Sequence, residues 1–266
     1  MPESNPQLVK VIEYMRAHWP SEVKPEWQVG LAEYPAILKK VVEDFTIAAT
    51  KNHRFIRIAG LSGSGKTTQI LPAVEAYCEK NSFEPILMAA RRFVEYHPHY
   101  QEIKDYYGDE NLRKMTDEFS TIMLFLTLSE LIKGGYDIVL DVTLLDPEME
   151  GILLELLKAG NYESIILMIA VSPTVTEQYL SGRAWRHSRE TELEFIRATS
   201  KALDFYATNS PDTRIIMWSV YDKDPVYDGE IKNVIPVFEE YSSREDLPKK
   251  DDDERRNAKI KYLQLI

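Results

Sequence analysis

The chain has 266 residues, 44% of them hydrophobic, and a net charge of −11. That length holds one large α/β domain with extensions or two small domains, and the acidic balance argues against a broad nucleic-acid or anionic-membrane surface while leaving room for a local basic site. With Cys78 as its only cysteine, the chain can form neither an intrachain disulfide nor a cysteine zinc cluster, which fits a reducing compartment.

Residues 1–6 lack a basic stretch leading into an apolar core, so no signal peptide is read there. The charge-free apolar runs Phe119–Ser129 and Ser164–Thr176 are too short to span a bilayer. The expectation is a cytoplasmic protein without membrane contact. Leu8, Val9, Val11, Ile12, Met15 and Trp19 share one face of an N-terminal amphipathic helix, which Pro20 to Pro25 break. A second helix over residues 31–51 carries Ile37, Leu38, Val41, Val42, Phe45 and Ile47 as its apolar stripe.

The central stretch follows. Phe55–Ala59 reads as a short buried strand, then Gly60, Leu61, Ser62, Gly63, Ser64, Gly65, Lys66, Thr67 and Thr68 give Gly-x-x-x-x-Gly-Lys-Thr. Ile70, Leu71, Val74 and Tyr77 then recur at helical spacing to Lys80. Strand, glycine-rich turn and helix together define a phosphate-binding P-loop. Its glycines let successive N–H groups point at a polyphosphate, Lys66 reaches the β- and γ-phosphates, and the Thr67 hydroxyl suits Mg²⁺. The ligand expected is ATP or GTP with Mg²⁺.

A second strand at Glu84–Ala89 leads into a polar, aromatic and basic loop, residues 90–100, where open parallel sheets place ligands. Arg91, Glu95, His97 and Tyr100 in it are the expected acceptor contacts, with a packed surface loop as the alternative. Residues 116–133 form a strongly apolar helix ending at Gly134-Gly135. Tyr136–Asp141 is a third strand whose terminal Asp141 suits metal binding beside Thr67, with Thr143 within reach of the same site. Asp146-Pro147 starts a helix through Leu157.

Ser164–Val171 is a fourth strand, and Ser172-Pro173 opens another helix. Arg183, Arg186, His187, Arg189 and Arg197 then cluster, and planar guanidinium forks suit a transferring phosphoryl group. The reading assigns Arg186 and Arg197 to a lid over the γ-phosphate; a solvated basic face paired with Glu177, Glu190, Glu192 and Glu194 is the alternative. Thr213–Val220 is a fifth strand. Beyond Tyr221 the chain turns polar, and about the last 25 residues read as a charged, solubilising tail with a helix near Glu254–Leu265. The alternation of strand and helix predicts an α/β fold, a doubly wound, mainly parallel P-loop NTPase/kinase-like sheet with helices on both faces. Its divisions are an N-terminal helical segment at 1–52, the α/β domain at 53–228 and a charged, partly helical extension at 229–266.

The P-loop, the Phe93-x-x-x-His97-Pro98-x-Tyr100 pattern, Gly135 to Thr143, Gln178-Tyr179-Leu180 and Arg197-Ala198-Thr199-x-Lys201, in this order, resemble the zeta toxins. These are P-loop small-molecule kinases of toxin–antitoxin systems. The resemblance implies phosphorylation of a hydroxyl by ATP or GTP, on UDP-N-acetylglucosamine in the best-known members, and an antitoxin protein as partner. It also implies a catalytic Asp two positions before Phe93, where this chain has Arg91. The family's Glu-Gly-Thr at the end of the third strand is here Asp141-Val142-Thr143. Arginine stays protonated and cannot take a proton from a sugar hydroxyl. A changed acceptor, a base recruited from Glu95 or Asp141, and nucleotide binding without transfer therefore remain open, as does a nucleic-acid end kinase.

Overall fold

The structure is a computed structural model that describes residues 9, 12–14, 16–17, 21–144, 147–180, 188–248 and 251–265, the side chain of Leu180 excepted. Its six-stranded sheet comprises β1 (Arg54–Gly60), β2 (Ile86–Met88), β3 (Ile138–Asp141), β4 (Glu163–Ala170), β5 (Arg214–Ser219) and β6 (Tyr227–Glu230) in the order β2-β3-β1-β4-β5-β6. All neighbouring pairs are parallel except β5 with β6. The expected mainly parallel, P-loop kinase-like α/β fold is the fold found. The short polar β6 is an addition that the polar composition after Tyr221 conceals.

Strand side chains alternate between two apolar layers, as a pleated sheet buried on both faces requires. Phe55, Ile138, Leu140, Ile166, Met168, Ile215 and Met217 face one side. There they meet α1 (Tyr34–Phe45), α5 (Asp117–Lys133), α6 (Pro147–Ala159), α8 (Arg189–Asn209) and α9 (Ile235–Ser242). Ile56, Ile58, Val139, Leu167, Ile169, Ile216 and Trp218 face the other. That side is covered by α2 (Leu71–Lys80), α7 (Pro173–Leu180) and α10 (Asp252–Leu263). Between the second strand and α5 lie a 3₁₀ segment at Ala90–Tyr96, α3 (Tyr100–Tyr107) and α4 (Asp109–Met115).

Helix α5 buries twelve of its seventeen residues, including Phe119, Ile122, Met123, Phe125, Leu128 and Leu131. A helix apolar nearly all round has to sit in the interior. Helix α10 does not trail into solvent as a charged tail would. Ile260, Tyr262 and Leu263 join the apolar layer of α2, and Arg255 and Lys259 are buried with them.

Two buried polar groups tie the sheet together. Asp137 is fully buried and accepts hydrogen bonds from Thr50 Oγ1 (2.6 Å), Asn52 Nδ2 (2.7 Å) and the backbone N–H groups of Asn52 and Arg54. It fixes the entry of β1 beside β3. Further along β1, Arg57 pairs with Glu150 of α6 at 2.6 Å, both essentially without exposure. Tyr206 of α8 donates to the same Glu150 oxygen at 3.0 Å, and Arg57 Nη2 donates to the Thr143 carbonyl at 2.8 Å. A buried ion pair persists only with its remaining hydrogen bonds satisfied, and here they clamp the segment after β3 to the P-loop strand.

Candidate active site

The P-loop turns where β1 ends. Gly60 has φ +138°, and a Cβ there would stand 2.9 Å from both the Ile169 carbonyl and Ser64 Oγ. Gly65, at φ +98°, opens a π-type turn over Lys66–Ile70 that runs into α2. Only glycine takes these positions without strain. Lys66 Nζ donates to the carbonyls of Gly60 (2.6 Å) and Leu61 (2.9 Å). Thr143 Oγ1, arriving from β3, donates to the same Gly60 carbonyl at 3.0 Å. Burial lowers the Lys66 ammonium to about 8, with Asp141 pulling the other way.

A cleft of about 920 Å³ opens above this loop at the carboxyl ends of the strands, where open α/β sheets bind ligands. Residues 61–69, Arg91, Asp141 and Thr143 all line it. Asp141 is nearly buried; its Oδ2 lies 3.2 Å from Arg91 Nη1, and its Oδ1 is buried with no hydrogen-bond partner among the described residues. A buried carboxylate oxygen without a donor, in the same cleft as the Thr67 hydroxyl, fits a hard divalent cation with oxygen ligands. Among the described residues no cluster of three or more His, Cys, Asp or Glu side chains forms a separate metal site.

The cleft has two unlike walls. On the β2–β3 side stand Arg91, Glu110, Arg113, Lys114, Asp117, Thr121 and Phe125. Asp117 begins α5; desolvation within the cleft raises its carboxyl above the usual range, and Arg113 partly opposes that. On the β4–β5 side stand Tyr179, Phe195, Val220, Asp252 and Arg256.

The other expected contacts lie elsewhere. His97 is buried, with its ring 4.6 Å edge-on from that of Phe119, and its Nδ1 accepts from the His99 N–H at 3.1 Å. Burial pushes this imidazole down to about 4, so it is a neutral core group. Tyr100 packs with Ile103, Leu112 and Met115, and Glu95 is exposed; neither lines the cleft. These three face away because the chain coils at Ala90–Tyr96 and leaves only Arg91 and Ala90 toward the P-loop. Arg197 is exposed on α8 and does not line the cleft, although Phe195 does. Arg183, Arg186 and His187 lie outside the described residues.

Sequence reading missed Arg113, Asp117 and Thr121. For Asp117 and Thr121, a helix apolar on all sides gives no periodic hint of which turn faces a cleft, the one signal being Asp117-Glu118 in its first turn; Arg113 belongs to the short charged helix α4. Asp252 and Arg256 were missed because a dense charge run reads as a solvated tail.

The parallel sheet, the glycine-lysine-threonine turn at its centre and the strand-terminal Asp141 in the same cleft define a P-loop kinase-like protein. Residues 41–240 match the zeta toxin family model, and the chain belongs to that family. Among solved structures, a chain of the PezAT chromosomal toxin–antitoxin system of Streptococcus pneumoniae shares the fold with a TM-score of 0.65 at 19% identity, over 89% of this chain and 98% of that one. A chain of the AvrRxo1-ORF1:AvrRxo1-ORF2 structure with sulphate ions gives 0.54 at 12% identity, over 90% and 92%. No curated protein matches the sequence. No helix among the described residues is long and apolar enough to cross a membrane.

Proposed function

We propose that the protein transfers the γ-phosphoryl group of Mg²⁺-bound ATP or GTP to a hydroxyl of a nucleotide sugar or a similar small metabolite. The observation that carries this reading is the single cleft in which the P-loop and Asp141 face a polar wall containing Arg91, Arg113 and Asp117. The acceptor oxygen forms a bond to the γ-phosphorus as the β–γ bridging bond breaks, and the nucleoside diphosphate leaves. Such transfer depends on positioning and charge neutralisation more than on covalent help. Lys66 neutralises the phosphates, Thr67 and Asp141 hold the cation, and the cation offsets charge on the bridging oxygens when bound. Arg91 and Thr143 orient the acceptor from the β3 side.

The hydroxyl proton goes to Asp117. The family's carboxylate before Phe93 is replaced by Arg91, and Asp117 lines the same wall. A carboxyl raised above its usual range is a better proton acceptor at neutral pH than an ordinary one. The PezAT likeness supports an antitoxin protein as partner, and a single cysteine that can form no intrachain disulfide fits the cytoplasm as the place of action. A second reading, a nucleotide-binding regulator without transfer, is favoured by the Arg91–Asp141 pair, which ties up one metal-binding oxygen.

Labelled ATP or GTP incubated with the protein and a bacterial metabolite extract separates the two. A labelled product that disappears in Lys66→Ala supports transfer. Tight nucleotide binding with no product from any pool would leave only the regulator.

A further inference from the structure

Helix α10 is bound to the P-loop element itself. Gln69, in the turn that follows the P-loop, donates from Nε2 to Asp252 Oδ1 at 3.3 Å, across 183 positions of sequence. Gln69 is 95% buried and lines the cleft, and its Oε1 is buried without a partner among the described residues. One helical turn beyond Asp252, Arg256 lines the same cleft. Its ion pair, to Asp253 at 2.8 Å, is solvent-exposed on both sides, and exposed pairs of this kind exchange partners at little cost.

The sheet order decides which end of a nucleotide this helix meets. The P-loop follows the central β1, and the metal carboxylate Asp141 lies toward β3. Tyr179, Phe195 and Val220 lie on the opposite side with Asp252 and Arg256, and they supply the aromatic and apolar surface that a heterocycle needs. Asp252, the first-turn carboxylate of α10 that lines the cleft, is a poor neighbour for a triphosphate but a good acceptor for hydroxyl or ring N–H donors. A guanidinium that lines the same cleft as two aromatic rings suits stacking on a base held between them.

We infer that α10 is a working part of the donor site, in which Arg256 lies against the purine and ribose of the bound nucleoside triphosphate opposite Tyr179 and Phe195. The inference rests on the donor reading of the P-loop given above. The nucleoside pocket is thus completed by a helix that reads, in sequence, as a tail.

The test is calorimetric titration of the full chain with Mg²⁺-ATP, Mg²⁺-GTP and inorganic tripolyphosphate. Arg256→Ala is expected to weaken the preferred nucleotide about tenfold, the effect of losing one desolvated cation–ring contact, and to leave tripolyphosphate unchanged. Asp253→Ala, which removes only the surface partner of Arg256, is expected to bind both like the wild type. Wild-type affinity for the nucleotide in Arg256→Ala, or equal loss of nucleotide and tripolyphosphate, overturns the inference. A wild-type protein that binds neither probe overturns the donor reading instead.

Discussion

Arg91 Nη1 stands 3.2 Å from Asp141 Oδ2, so a guanidinium covers one oxygen of the carboxylate that ends β3 while the other oxygen stays without a donor among the described residues. Arg91 is half-exposed, and such a pair is worth about 1 kcal/mol. Arg91→Ala therefore lowers the Mg²⁺ concentration needed for half-maximal nucleotide binding, by roughly fivefold from that energy. Titration at limiting Mg²⁺ reads the shift directly. An unchanged requirement would mean that Asp141 does not hold the cation. Arg91→Asp goes further, because it returns the carboxylate that the family carries at this position, and phosphorylation of UDP-N-acetylglucosamine above the parent level is its expected outcome.

Asp117 is expected to act on transfer and not on donor binding. Asp117→Asn removes the proton acceptor and changes the side-chain volume little, so product formation falls about 10²-fold or more while nucleotide affinity holds. The raised carboxyl fixes the sign of the pH dependence. The transfer rate climbs as Asp117 loses its proton and then holds until Lys66 loses its own near pH 8. A rate profile for Asp117→Asn that follows the wild type would remove Asp117 from the reaction.

Lys66 links binding to pH. Burial lowers its ammonium from 10.5 to about 8. Between those values the unfolded chain binds more protons at this site than the folded one, so the nucleotide-free protein gains stability as pH rises from 8 to 10.5. Polyphosphate affinity runs the other way and declines above pH 8, since it requires the cation. Calorimetry at pH 8.5 in buffers of different ionisation enthalpy should show proton uptake on nucleotide binding. Absence of uptake would place Lys66 away from the phosphates.

Lys259 titrates over the same window and allows the two lysines to be separated. Its side chain is fully buried about 6.0 Å from the Trp218 ring, with no hydrogen-bond partner for Nζ among the described residues, and burial lowers it to about 8. Lys259→Met replaces a desolvated charge with an apolar chain of similar length. Stability at pH 7 should rise by about 1–3 kcal/mol, and the gain should shrink toward pH 10.5. Urea midpoints at the two pH values decide it.

The Arg57–Glu150–Tyr206 cluster predicts a graded loss. Glu150→Gln leaves a buried guanidinium without its counter-charge and should cost about 3–5 kcal/mol. Tyr206→Phe removes one hydrogen bond and should cost about 1 kcal/mol. Equal losses in the two variants would mean that packing outweighs charge there.

The parallel core was legible because its strands are short apolar runs and its glycines, lysine and threonine fall at one spacing. What escaped was structure whose signal is tertiary. Residues 100–115 carry Ile103, Leu112 and Met115 among charges and tyrosines, too few for a clear helical period, yet those three pack as one cluster with Val23. Asp117 belongs to a helix whose apolar residues point everywhere, so its polar end could not be assigned to a cleft. His97 was drawn toward the ligand by its neighbours in sequence, whereas its ring fills a space against Phe119. The partnership of Arg91 with Asp141 joins residues fifty positions apart.

The central strand has its partners late in the chain. β1 pairs with β3 at 138–141 and with β4 at 163–170, and the turn that follows its loop is held by Asp252. On the ribosome, at about 5–20 residues per second, the P-loop strand emerges early and stays an exposed edge until more than a hundred further residues have followed. The loop that defines the protein is therefore among the first segments made and the last to mature. Nascent chains stalled short of β4 should bind no nucleotide, and those stalled between β4 and α10 should bind it weakly.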